Sequence, residues 1–118
     1  MKKSLVFLVI ASSFIFSLTT CNKADTTVQQ GQAIFWTMTY VYGNFPGPKT
    51  IFVDDKNIGS TSFGYSTAPT CTASGCVIYK ANPGTYNWKA VDVRIPSAYE
   101  TGTFTITSGG CIAVDVTN

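Results

Sequence analysis

From residue 33 onward, large apolar side chains recur at every second position in short runs broken by Gly, Pro, Asn and Ser. A two-residue period places alternate side chains on opposite faces of an extended strand, and it cannot wrap one apolar stripe around a helix. The runs are rich in Thr, Val, Ile, Tyr and Phe, the residues that fit a pleated, half-buried surface. Seven strands are predicted: 33–42, 49–54, 58–63, 76–81, 85–94, 101–107 and 111–117. So many short strands in one small domain imply an all-β fold of two sheets packed face to face, a Greek-key-like β-sandwich spanning 33–118.

The breaks between runs carry turn chemistry. Gly43-Asn44-Phe45-Pro46-Gly47-Pro48 cannot continue a ladder, because its prolines lack N–H donors. Asp54-Asp55-Lys56-Asn57 is a hairpin turn whose residues tolerate left-handed backbone. Asn82-Pro83-Gly84 suits a type II turn, and Ser108-Gly109-Gly110 forms the last break.

Alternation also assigns faces. Ile112, Val114 and Val116 share one side of the last strand, and Phe104 and Ile106 lie between threonines in the strand before it. In the strand from Thr85, the face set up by Tyr86, Trp88 and Ala90 next meets Asp92. The apolar set then moves to Val91, Val93 and Ile95, which predicts a bulge or an edge near Trp88 to Val91.

The first 20 residues stand apart. Met1-Lys2-Lys3 precedes an uncharged apolar run from Leu5 to Leu18. That run is shorter than the roughly 20 residues a spanning helix needs, so it fits a secretion signal that is cleaved. Leu18-Thr19-Thr20-Cys21 resembles the lipobox of bacterial lipoproteins. The resemblance implies that Cys21 receives diacylglycerol and becomes the first residue of the mature chain. The following Asn22-Lys23-Ala24-Asp25 is similar to the surface-export signal of Bacteroidota-type lipoproteins. It implies an outer-membrane lipoprotein displayed at the surface, with a periplasm-facing position as the alternative. Residues 21–32 are then the lipidated cysteine and a polar, flexible tether.

Processing changes the charge. The precursor has eight basic and six acidic side chains, and Lys2 and Lys3 leave with the signal. The six bases and six acids that remain balance. No basic stripe is left to follow a phosphate backbone, so nucleic acid is not an expected partner. The membrane is expected as a partner through the lipid, with a glycan or an envelope protein as the ligand class.

Thr50-Ile51-Phe52-Val53-Asp54-Asp55-Lys56-Asn57-Ile58-Gly59 resembles the opening hairpin of PEGA domains. Pro83-Gly84-Thr85-Tyr86 is similar to their central turn, and 101–116 to their closing hairpin. PEGA domains usually carry Thr-Pro after the Gly, whereas Ser60-Thr61 here leads into a longer insertion with two cysteines. The exported chain as a whole also resembles small Bacteroidota lipoproteins of unknown function. They share an early Phe-Trp, a Cys-x-x-x-x-Cys loop and a late Gly-Gly-Cys. These resemblances imply a fold and a location and lend no activity.

With Cys21 assigned to lipid, Cys71, Cys76 and Cys111 remain, in an exported and oxidising setting. Three pairings are open. The local loop Cys71–Cys76 closes most easily and is the favoured disulfide, with Cys111 as the alternative partner of either. No metal or other cofactor is expected: the chain has no histidine, and structural zinc wants four N or S ligands. The turn at Asp54 fails as a calcium loop, because Lys56 and Ile58 stand where oxygen ligands are needed.

Catalysis has little to draw on. Without histidine, a Ser or Cys nucleophile lacks its usual base. The carboxylates Asp92, Glu100 and Asp115 are the formal candidates for glycoside hydrolysis, and no enzymatic role is expected of them. The aromatics are more suggestive. Ile34, Trp36, Met38, Tyr40 and Tyr42 share one face of the first run, with Phe35 and Val41 on the other. Some of this apolar surface is therefore left over for a partner. The expected function is a lipid-anchored envelope module that binds or builds without catalysing. The alternative is a carbohydrate-binding surface lipoprotein using Trp36, Tyr40 and Trp88.

Overall fold

The computed structural model describes residues 27–39 and 47–117. The leader, Cys21, the first half of the tether (to residue 26) and Tyr40 lie outside the described residues. Among the described residues the fold is an all-β sandwich of seven strands in two sheets. The strands are β1 (Gly31–Trp36), β2 (Lys49–Val53), β3 (Lys56–Ser60), β4 (Val77–Ala81), β5 (Gly84–Asp92), β6 (Tyr99–Ile106) and β7 (Cys111–Asp115).

One sheet has the order β4-β1-β7 and the other β3-β2-β5-β6. Hairpins β2–β3 and β5–β6 stay within the four-stranded sheet, while the chain changes sheet at β1–β2, β3–β4, β4–β5 and β6–β7. β7 returns parallel to β1, with Ala33 opposite Ile112 and Phe35 opposite Val114. The core lies between the sheets. Ala33, Phe35, Val77, Ala81 and Val114 come from one side, and Ile51, Val53, Ala90, Phe104 and Ile106 from the other. Phe35 sets its ring edge-on to Phe104 at 5.2 Å, and Phe104 stacks on Tyr86 at 5.5 Å. Such pairs add to the burial of apolar area that drives packing.

All seven predicted strands form, and three local expectations are corrected. The hairpin loop after β2 is only Asp54-Asp55, both with positive φ, as a two-residue type I′ turn requires. β3 therefore starts at Lys56, two residues ahead of the expected Ile58. β5 carries no bulge, since its register against β2 and β6 is regular throughout. Asp92 stays on the inner face, 7% exposed, and Val93 and Ile95 are left exposed. The irregularity sits instead in β3, where Ile51 faces Gly59 but Phe52 faces Asn57, leaving Ile58 as the extra residue. Gly59 (φ 134°) takes a backbone that L side chains rarely adopt, and its N–H donates to Asn57 Oδ1 at 2.9 Å. Finally, β1 starts at Gly31, so its first two residues fall inside the span expected to be tether. Gly31 has no room for a Cβ beside Thr107 O, and this end of β1 packs against the β6–β7 turn.

Candidate functional site

The two outer faces of the sandwich differ. On the three-stranded sheet, Gln32, Ile34 and Trp36 point outward, since Ala33 and Phe35 face the core. Ile34 is nevertheless 0% exposed and Trp36 only 5%, so this face is closed over β1, while Ile78 beside Ile34 on β4 stays exposed. The long connection from Thr61 to Cys76 is tied to both ends of β1. Tyr65 exchanges backbone hydrogen bonds with Thr37 and Thr39, and Cys71 O accepts from Gln32 Nε2 at 3.1 Å. Cys71 is joined to Cys111, which lies opposite Gln32 in the parallel ladder.

This corrects the favoured pairing. Sheet register decides it. Val77 must sit opposite Phe35, which carries Cys76 to the far end of β1 from Gln32, while Cys71 and Cys111 meet over Gln32 with 6.4 Å between Cα atoms. Cys76 is left as a free thiol, and burial pushes its pKa up.

The outer face of the four-stranded sheet is open. β2 presents Thr50 and Phe52, β5 presents Thr85, Asn87, Lys89 and Val91, and β6 presents Tyr99, Thr101, Thr103 and Thr105. Cross-strand hydroxyl pairs run along it: Thr50 with Ser60 at 3.0 Å and Thr85 with Thr105 at 3.1 Å. Lys89 Nζ lies over the Tyr99 ring, 4.6 Å from its centre. A depression of about 430 Å³ opens here, lined by Phe52, Asp54, Asp55, Asn87, Lys89, Thr101 and Thr103 among others. Asp54 is held at its rim: its N–H donates to Asn87 O at 2.9 Å, and its Oδ1 accepts from Asn87 N–H at 3.1 Å. One half-buried phenyl ring with carboxylates, an amide, an ammonium and hydroxyls around it can hydrogen-bond a polar ligand while packing an apolar edge.

Of the aromatics expected to bind sugar, Trp36 and Trp88 do not share a face. Trp36 is buried under the closed face. Trp88 belongs to the inner face of β5, edge-on to Phe35 at 6.4 Å, with its indole laid across Gly102. A Cβ on Gly102 would come within 2.7 Å of the indole nitrogen. Tyr40 lies outside the described residues. The exposed aromatic of the open face is Tyr99 on β6, and Phe52 on β2 is half-buried. The sequence does hold that signal, because Phe52 alternates with Ile51 and Val53, whose burial turns it outward.

The three carboxylates stand apart. Asp92 accepts from Arg94 N at 2.8 Å and Ile95 N at 3.2 Å, with the Arg94 guanidinium 3.4 Å from its second oxygen. The Arg94 side chain, its backbone N–H and the Ile95 N–H hold the Asp92 carboxyl below the usual carboxylate range. Asp115 caps Thr117 N at 2.9 Å on an exposed strand of the other sheet, and Glu100 faces Ala90 across the β5–β6 ladder. Among the described residues no three of His, Cys, Asp and Glu gather as metal ligands would.

Sequence reasoning missed one polar group. Lys49 is 1% exposed, opposite Asp92 in the ladder and near Thr61, whose Oγ1 accepts from Lys49 N at 2.9 Å. Its place in the alternation with Ile51 and Val53 is the signal that turns it inward. Comparisons with protein-family models, with curated proteins and with solved structures find no match.

Proposed function

We propose that this chain is a lipid-anchored module of the bacterial cell envelope that binds or builds without catalysis, using the open face of its four-stranded sheet. The observation that carries the reading is the asymmetry of the sandwich. One outer face is closed over Ile34 and Trp36, whereas the other presents a polar depression around Phe52, Asn87 and Lys89. The lipobox at Leu18 to Cys21 supports the anchor, and Lys23 with Asp25 supports display at the surface of the outer membrane. The PEGA-like hairpin at 50–59 suits an envelope role. Nine residues lie between Cys21 and Gly31, a reach of at most about 33 Å when extended, enough to let the domain stand clear of the bilayer.

Binding of carbohydrate is the second reading, and the composition of the depression favours it. The groups that would meet a sugar there are Phe52 as the apolar surface and Asp54, Asn87 and Lys89 as hydrogen-bonding groups; of the aromatics expected from the sequence, Trp88 borders the depression. Metabolic labelling with an alkyne-tagged fatty acid tests the anchor. Wild-type protein takes the label and Cys21→Ser does not; equal labelling of the two removes the anchor from the proposal. A glycan array tests the ligand class. Binding that falls at least tenfold in Phe52→Ala supports sugar recognition, and binding indifferent to Phe52 and Lys89 excludes it from this face.

A further inference from the structure

We infer that the outer edge of β6, unpaired among the described residues, pairs with the β6 edge of a second copy of this chain, about a two-fold axis at Thr103, to give one eight-stranded sheet. The inference is independent of the anchor and of any ligand. Asp92 N donates to Ala98 O, which sets the phase of the β5–β6 ladder. In that regular register Glu100, Gly102, Phe104 and Ile106 bond to β5. Thr101, Thr103 and Thr105 therefore turn their N–H and C=O groups to the open edge.

The four edges of the sandwich are not alike. β3, β4 and β7 are five residues long; β3 carries Lys56 and the bulge, β4 carries Lys80, and β7 carries Asp115. Charges, bulges and shortness are the devices that keep edges from pairing. β6 runs eight residues, with Glu100 as its only charge.

The strand also matches itself. Antiparallel pairing centred on Thr103 sets Thr101 against the second copy's Thr105, Gly102 against its Phe104 and Glu100 against its Ile106. No like charges meet. On the outer face it sets hydroxyl against hydroxyl, continuing the row that Thr85 and Thr105 already form within one copy at 3.1 Å. Thr101 and Thr103 line the depression, so pairing places the two depressions side by side. The contact is one strand pair with its flanking side chains, at the small end of protein interfaces, so association is weak and concentration-dependent.

Single-cysteine cross-linking of the full chain, in detergent and with Cys76→Ser as background, tests the register. Thr103→Cys is expected to form a disulfide-linked dimer on oxidation, since facing Cα atoms there lie about 5.5 Å apart, within disulfide reach. Thr101→Cys and Thr105→Cys alone are expected to stay monomeric but to cross-link when mixed. Sedimentation gives the second readout. Wild type is expected to self-associate with a sub-millimolar constant that Thr103→Lys raises at least tenfold while leaving the melting temperature unchanged. Equal cross-linking at all three positions, none at Thr103, or a strictly monomeric wild type at about 1 mM would overturn the inference.

Discussion

Asp92 shows how a polar residue can hold an inward position. Its alternation with Tyr86, Trp88 and Ala90 sends it between the sheets, and the Arg94 and Ile95 amides with the Arg94 guanidinium meet it there. These groups prefer the ionised carboxyl, so its pKa is lower folded than unfolded. Such a group stabilises the fold above its unfolded value, near 3.9, and the contribution is lost as pH falls through the lowered folded value. The urea midpoint is expected to be flat from about pH 7 to 5 and to drop below about pH 4. Asp92→Asn is expected to lower the midpoint at neutral pH and to make the acid limb shallower. An acid limb as steep as that of wild type would remove Asp92 from this role. The sequence marks the position but conceals the reason, because partners two and three residues further on act through backbone N–H groups that carry no side-chain signature.

The elements were legible because each strand reports its own burial by alternation, as Phe104 and Ile106 do between threonines. What alternation cannot encode is register between distant strands, and the disulfide depends on it. Cys71 joins Cys111 across 40 residues only because β7 lies parallel to β1 with Cys111 opposite Gln32. Closing a loop of that length removes chain entropy worth about 4 kcal/mol, against about 2 kcal/mol for the local Cys71–Cys76 loop. Cys111→Ser is accordingly expected to reduce the unfolding free energy by about 4 kcal/mol, measured in denaturant. Cys76→Ser is expected to change it by less than about 1 kcal/mol. A reversal of that order would restore the local pairing.

At the scale of the whole molecule, β1 explains why Trp36 is not available at the surface. It is the central strand of its sheet and is buried on both sides, so Trp36 on one face and Phe35 on the other are both lost to solvent. The sequence shows apolar residues on both faces of that strand but not which face a long connection closes. The four-stranded sheet is covered on one side only. It leaves Phe52, Lys89, Tyr99 and the β6 threonines as the surface a partner can reach. Hydroxyl-radical footprinting of the protein in the cells that make it, compared with purified protein, tests this most directly. The expected result is at least a threefold loss of reactivity at Phe52 and Tyr99 in cells, with Ile78 unchanged. Unaltered reactivity at Phe52 and Tyr99, with protection at Ile78 instead, would contradict the assignment of the open face as the binding surface.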